Sequence, residues 1–69
     1  MSRTILEIFG ENVRKKRLSL KMSQQELGNV ADLHRTYIGM IERAEKNITM
    51  LNAQKIADAL NINLTELLE

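Results

Sequence analysis

Apolar side chains recur along the chain at intervals of three and four residues, which is the spacing of one helix face rather than the alternation of a strand. Proline, which interrupts helices, is absent. The pattern predicts an all-α fold in which one small domain spans residues 1–69. The five predicted helices run from about Ile5 to Leu20, over 23–30, over 33–43, from Thr49 to about Leu60, and over 63–69.

Residues that can accept hydrogen bonds from free backbone amides mark where the predicted helices begin. Thr49 is the predicted N-cap of the fourth helix. Three pairs have the spacing of a capping box, in which each side chain bonds the backbone N–H of the other residue. The pairs are Thr4 with Glu7, Ser23 with Glu26, and Asn63 with Glu66.

The same periodicity predicts which side chains form the core. In the second helix either Val30 or Ala31 faces inward, so the pattern leaves this position open. Gly10 lies within the first helix at a cost of about 1 kcal/mol relative to alanine, and it either permits close packing or is incidental. The other predicted core residues are Ile5, Phe9, Val13, Leu20, Leu27, Leu33, Ile38, Ile41, Leu51, Ile56 and Leu60.

The segment LHRTYIGMIER, residues 33–43, has a second face that an ordinary solvated helix does not need. One side of this helix carries apolar residues for the core. The other side carries a histidine, two arginines, a threonine, a glycine and a methionine. This mixture indicates that the second face of the helix is a functional surface.

The break before that helix, VADLHR, is so short that the helices on either side must meet at a sharp angle. Gly28 is small where the two helices would touch. Asp32 stands where the chain must turn, and aspartate tolerates a left-handed conformation. Leu33 then fills the core, and His34 can cap the next helix. The segment from about 23 to 43 therefore predicts a helix-turn-helix, whose second helix enters the major groove of DNA.

Residues from about Phe9 to Leu68 resemble the lambda-repressor/Cro type of helix-turn-helix domain, a compact five-helix fold that binds DNA. The matching stretches are VRKKR, MSQQELG, LHRTYIGMIER and IADALNINLTELL, and RTYIGMIERAEKN is most similar to the controller proteins of restriction–modification systems. Two positions depart from the family, where glycine is usual. Asp32 replaces one glycine in the turn. Ala44 replaces the other, so the third helix either ends in a strained left-handed turn or runs on toward Glu45.

The resemblance implies which residues contact DNA. Arg35 and Thr36 occupy the positions that this family uses to contact base edges, and arginine can donate two hydrogen bonds to guanine. Gly39 would permit close approach to the groove wall, and Met40 offers an apolar contact to a thymine methyl group. Each residue has an ordinary alternative as a solvated, capping or packing side chain. The predicted contacts to the DNA backbone are Gln24, His34, Tyr37, Arg43, Lys46 and Asn47.

The resemblance also implies a structural ion pair. Arg17 in the first helix would pair with Glu42 behind the third helix and fix the orientation of that helix. The alternative is that both residues are surface charges.

A homodimer is expected because one such domain contacts few bases, whereas a symmetric dimer doubles the contacts. The dimerisation region is predicted at residues 61–69. Its apolar side chains either form the interface or simply close the core. The interface residues predicted there are Ile62, Leu64 and Leu68.

Composition argues against other functions. The chain has no cysteine and a single histidine, His34, so a disulfide, a thiolate metal site and a cofactor are not expected. Glu26 and His34 are the only plausible acid–base residues close in sequence, and both are better used as helix caps. No enzyme is predicted.

The charges are distributed unevenly. Residues 1–21 hold six basic and two acidic side chains, a balance of +4, whereas residues 47–69 have a balance of −2. This asymmetry fits an anionic partner on one face. No apolar run is long enough to cross a membrane, and the N-terminus lacks a signal-peptide pattern, so a cytoplasmic, nucleoid-associated protein of a bacterium or phage is expected.

The sequence therefore predicts a transcriptional regulator that binds a near-palindromic DNA operator as a homodimer and controls a restriction–modification operon. RNA polymerase is a further candidate partner. The alternative is a phage-type repressor or an antitoxin-like interaction module of the same fold.

Overall fold

The computed structural model describes residues 3–69, so the first two residues of the predicted domain lie outside the described part. Within residues 3–69 the chain forms five α-helices and no strand, which confirms the predicted all-α fold. None of these helices combines the length and apolar character needed to span a bilayer. The helices are α1 (Ile5–Ser19), α2 (Gln24–Ala31), α3 (Arg35–Glu42), α4 (Met50–Ala59) and α5 (Leu64–Leu67).

The predicted N-cap hydrogen bonds of α1, α2 and α4 are present and explain where these helices begin, whereas at Asn63 only the Glu66 carboxylate bonds, by accepting from the Asn63 N–H at 3.0 Å. The Thr4 hydroxyl accepts from the N–H of Glu7 at 3.1 Å, and the Glu7 carboxylate accepts from the N–H of Thr4 at 2.7 Å. This backbone hydrogen bond from Thr4 lowers the pKa of Glu7 below its ordinary value. Ser23 and Glu26 form the same reciprocal pair at the start of α2. Thr49 accepts from the N–H of Asn52 at the start of α4.

Helix ends are made by non-glycine residues in the left-handed conformation. Asp32 has φ 59° after α2, as the sequence predicted for the turn. Ala44 has φ 57°, and α3 has already ended at Glu42. Of the two alternatives that the sequence left open, α3 does not run on toward Glu45, and the strained left-handed turn is the form that the chain adopts.

The buried side chains of all five helices meet in one core, and most of the predicted members are there. The position left open in α2 is resolved, because Ala31 is buried and Val30 is 63% exposed. The buried apolar residues are Phe9, Val13, Leu27, Ala31, Ile38, Ile41, Ala53, Ile56, Ala57, Leu60 and Leu67.

Three predicted core residues are exposed instead. Ile5 continues the buried stripe of α1 but lies in its first turn, and it is 55% exposed. Leu20 follows the end of α1, where the helical period no longer applies. Leu51 is two positions from Ala53, which places it about 200° around the helix from the buried stripe of α4.

Two glycines allow α3 to pack closely against its neighbours. A Cβ at Gly10 would collide with the backbone carbonyl of Ile41, so this glycine permits close packing of α1 against the end of α3. A Cβ at Gly28 would collide with the carbonyl of Leu33 in the turn between α2 and α3. Backbone shape at both positions therefore fixes where α3 lies.

Candidate nucleic-acid interface

Helices α2 and α3 are joined by a turn of three residues, 32–34, that holds them at a fixed angle. The N–H of Leu33 donates to the carbonyl of Gly28 at 2.8 Å, which closes the turn onto α2. His34 begins α3 as its N-cap, and its Nδ1 accepts from the N–H of Thr36 at 3.0 Å. The capping role predicted for His34 is confirmed, and its contact to the DNA backbone stays a prediction.

The first turn of α3 presents two polar side chains to solvent. Arg35 and Thr36 are adjacent and exposed. Arg35 takes part in none of the ion pairs formed among residues 3–69. Its guanidinium is therefore available for an external acceptor, and two parallel N–H groups fit the O6 and N7 atoms of guanine.

The next turn of α3 is less open than the sequence suggested. Met40 is half-buried, and Gly39 is buried. A Cβ at Gly39 would lie 3.1 Å from Nη1 of Arg43 and 3.3 Å from Oε1 of Gln24. Gly39 thus makes room for two predicted DNA-contacting side chains that lie over it, and its own contact to a base remains a prediction.

The loop after α3 carries the remaining predicted backbone contacts. Lys46 and Asn47 are exposed there. Arg43, the C-cap of α3, has its Nε 3.0 Å from the carboxylate of Glu45, with roughly half of each side chain exposed. In the free protein this carboxylate partly neutralises the Arg43 guanidinium, which a DNA phosphate would otherwise contact.

Tyr37 links the first turn of α3 to α4. Its ring is partly buried against the core, and its hydroxyl accepts a hydrogen bond from Nδ2 of Asn52 at 3.2 Å. Asn52 could not be identified from the sequence, because fifteen residues separate it from Tyr37 and only the packing of α4 brings the two together.

The Arg17–Glu42 pair expected from the resemblance is present behind α3. Arg17 donates to the Glu42 carboxylate from Nε at 2.6 Å and from Nη2 at 3.0 Å, and its Nη1 donates to the carbonyl of Met22 at 2.8 Å. The two side chains are 9% and 2% exposed. Hydrogen bonding to Glu42 raises the pKa of Arg17 above its ordinary value.

Gln24 extends this network to the interface. Its Nε2 donates to Oε1 of Glu42 at 3.1 Å, while its Oε1 lies over Gly39 beside Arg43. The carboxylate of Glu42, the last residue of α3, thereby binds both the first residue of α2 and Arg17 in the last turn of α1. The sequence placed Gln24 at the DNA backbone but did not predict its bond to Glu42.

The three residues predicted for the dimer interface border different surface grooves. Leu64 and Leu68 border an apolar groove between α1, α4 and α5 that also includes Ile5 and Met50. Ile62 lies at another surface. Their part in a dimer interface stays a prediction.

Two further apolar side chains are exposed, one of them lining this groove, and neither was assigned to an interface from the sequence. Met50 is 83% exposed and Leu51 is 68% exposed, both in the first turn of α4. Asn12 fixes the neighbouring α5, since its Nδ2 donates to the carbonyls of Leu67 and Glu69 at 3.0 Å each.

Comparison with known proteins agrees with this geometry. A helix-turn-helix family model matches residues 13–67. The chain is 45% identical over 64 residues to control protein C.SmaI of Serratia marcescens, covering 93% of this chain and 76% of that protein. It is 44% identical to control protein C.BamHI of Bacillus amyloliquefaciens, covering 100% and 86%. The crystal structure of the restriction-modification controller protein C.AhdI from Aeromonas hydrophila matches with a TM-score of 0.87 and 37% identity, covering 90% of this chain and 94% of that one.

Proposed function

Because the chain belongs to the helix-turn-helix family and, within it, to the restriction–modification controller proteins, we propose that it regulates transcription by binding a specific DNA operator as a homodimer. The operon that it controls would be one of a restriction–modification system. This family consists of transcription regulators rather than enzymes. Such a protein acts on DNA in the cytoplasm, at the nucleoid.

One observation carries the proposal: α3 exposes two polar side chains in its first turn, and its opposite face is fixed by buried contacts with α1 and α2. Arg35 and Thr36 face solvent in the first turn of α3. The buried Arg17–Glu42 pair and two close backbone approaches fix that helix against α1 and α2. A rigid helix is what base contacts require, since a bidentate hydrogen bond tolerates little displacement.

Contacts to the DNA backbone would flank the base contacts and set the register of the protein on the duplex. Gln24 and His34 lie at the starts of α2 and α3, where free backbone amides also favour phosphate. Arg43, Lys46 and Asn47 are exposed at the other end of α3. The expected footprint therefore runs along α3 from one strand to the other.

A second copy of the chain is the proposed occupant of the apolar groove. The groove is bordered by Leu64, Leu68 and the exposed Met50, which the exposed Leu51 directly follows. Neighbouring exposed apolar side chains are typical of protein–protein contact sites. A two-fold dimer would present two copies of α3, so its operator would be a near-palindrome.

We further propose that, where the protein activates transcription, it contacts RNA polymerase. Val30 on α2 supplies an apolar side chain that is 63% exposed and is not used by the core. The measurement is transcription in vitro from an operator-containing promoter with wild-type protein and Val30→Ser. Equal DNA binding with unequal activation would support a polymerase contact at α2, and equal activation would exclude Val30 from one.

The proposed function is tested by selecting binding sequences from random duplexes and reading the enriched set. We expect a two-fold symmetric motif whose half-sites are about 10 base pairs or a multiple apart, because each half-site must meet one α3 on the same face of the duplex. Enrichment of no motif, with equal binding to all duplexes, would contradict sequence-specific regulation.

A further inference from the structure

The hydrogen bond between Asn52 and Tyr37 has a direction. A tyrosine hydroxyl has one hydrogen to donate and lone pairs to accept with. Nδ2 of Asn52 donates to the Tyr37 oxygen at 3.2 Å, so the bond uses a lone pair and leaves the phenolic hydrogen free for another acceptor.

The position of this hydroxyl is restricted from two sides. The ring of Tyr37 packs against the hydrophobic core, which limits how far it can turn. Asn52 lies in the first turn of α4, where its backbone N–H donates a hydrogen bond to the hydroxyl of the N-cap Thr49. This is the one side-chain hydrogen bond that joins α3 to α4 within residues 3–69.

We propose that Asn52 is a positioning residue for DNA binding, because its amide directs the Tyr37 hydroxyl to donate its hydrogen to a phosphate oxygen of the DNA backbone. The inference rests on the proposed function. Asn52 itself need not touch DNA. Its effect passes through Tyr37, which directly follows the exposed Arg35 and Thr36 in the first turn of α3.

Two properties follow from the chemistry of this contact. A phosphate oxygen is the same at every base pair, so the contact strengthens binding to operator and random DNA alike. The tyrosine hydroxyl is neutral and displaces no condensed counterion by charge, so losing it leaves the salt dependence of binding unchanged.

The experiment is a double-mutant cycle in DNA binding with Asn52→Ala, Tyr37→Phe and the double variant, on an operator duplex and a random duplex across a salt series. We expect Asn52→Ala to weaken binding to both duplexes by about 3- to 10-fold, part of the contribution of a hydrogen bond to a charged group. In the Tyr37→Phe background, Asn52→Ala should cause no further loss.

Asn29→Ala is the matched control, because Asn29 is also a helical asparagine with one side-chain hydrogen bond, which it accepts from Gln25. It should leave DNA binding unchanged. Thermal melts of all variants separate lost positioning from lost folding.

A second variant keeps the test decisive if Asn52→Ala fails to fold. Asn52→Asp preserves the size of the side chain but can only accept, so it would take the phenolic hydrogen away from DNA. We expect a larger loss of binding than for Asn52→Ala, and a clearly smaller loss in the Tyr37→Phe background, where only the added charge acts.

Equal losses in the Tyr37 and Tyr37→Phe backgrounds would overturn the inference, as would a changed salt dependence for Asn52→Ala or unchanged binding for both Asn52 variants. Wild-type protein that binds no DNA would overturn the proposed function instead. The two failures are therefore distinguishable.

Discussion

The guanidinium of Arg17 meets the carboxylate of Glu42 through two hydrogen bonds, with Nε 2.6 Å from one oxygen and Nη2 3.0 Å from the other. Both side chains are almost completely removed from solvent. A buried pair of this kind adds little net stability over apolar residues of the same size, but it specifies one arrangement, because either charge alone would be buried without a partner. Here the arrangement specified is the position of α3 against α1.

The first prediction concerns the cost of breaking that pair. Glu42→Ala leaves the Arg17 guanidinium and the Gln24 amide without their acceptor, and we expect it to lower the free energy of unfolding by about 3–5 kcal/mol. Glu45→Ala removes a half-exposed carboxylate and should cost less than about 1 kcal/mol. Urea and thermal unfolding followed by circular dichroism measure both. Equal, small shifts for the two variants would show that the pair is not structurally important.

The second prediction concerns the strained end of α3. Ala44 has φ 57°, a conformation that glycine adopts without a steric penalty. We therefore expect Ala44→Gly to raise the free energy of unfolding by about 0.5–1 kcal/mol. Ala59→Gly is the matched control, because Ala59 is helical and the same change there should be destabilising by about as much. Destabilisation by Ala44→Gly in the same melts would refute the strain argument.

Local chemistry explains what the sequence predicted well. Thr4 and Glu7 are three residues apart, and a capping box depends on little beyond that spacing. Periodicity was less informative at helix ends. Ile5 and Leu51 have the apolar character of core residues, yet Ile5 lies in the first turn of α1 and Leu51 lies on the face of α4 away from its buried stripe.

Contacts between distant segments explain what the sequence missed. The bond from Gln24 to Glu42 and the bond from Asn52 to Tyr37 join residues that no spacing rule relates. They depend on how closely α3 approaches its neighbours, which the absent side chains of Gly10 on α1 and Gly28 on α2 set in part. The candidate site could thus be located from α3, whereas its supporting contacts required the packed structure.

The third prediction concerns dimerisation. Leu51 is 68% exposed and directly follows Met50, which lines the apolar groove, and burial of such a side chain in an interface contributes about 1.5–3 kcal/mol. We expect a dimer at micromolar concentration and a dissociation constant raised at least about tenfold by Leu51→Ser. Val30→Ser is the control, since Val30 is similarly exposed on α2. Sedimentation that finds only a 7.9 kDa monomer at high micromolar concentration would exclude the dimer.

The fourth prediction concerns the carboxylate that lies beside Arg43. Glu45 would stand near the phosphate that Arg43 is proposed to contact, and like charges about 6 Å apart repel by roughly 0.7 kcal/mol in water. Glu45→Gln should therefore tighten binding to operator and random DNA by about threefold at low salt, and the gain should shrink as salt screens the charge.

Asp58→Asn makes the same change of charge as Glu45→Gln and serves as its control. Asp58 accepts from Gln54 within α4, and asparagine keeps an oxygen for that bond. An equal gain from both variants would mean that only net charge matters. Weaker binding by Glu45→Gln would instead mean that Glu45 helps to hold Arg43 in place.

The last prediction separates base contacts from backbone contacts. Arg35 is exposed in the first turn of α3, so its contacts should depend on base identity, and Lys46 lies in the loop beyond α3, so its contact should be to phosphate alone. Arg35→Ala should cost roughly 1–3 kcal/mol on the operator and much less on random DNA. Lys46→Ala should weaken both alike and lower the salt slope by about 1. Binding of both variants across a salt series, after circular dichroism has established that they fold, measures this. If Arg35→Ala weakens binding to operator and random DNA equally, Arg35 contacts the DNA backbone, and base recognition must depend on Thr36 and Met40. If neither change affects binding, α3 does not enter the groove, and a protein-interaction role becomes the better account of its exposed face.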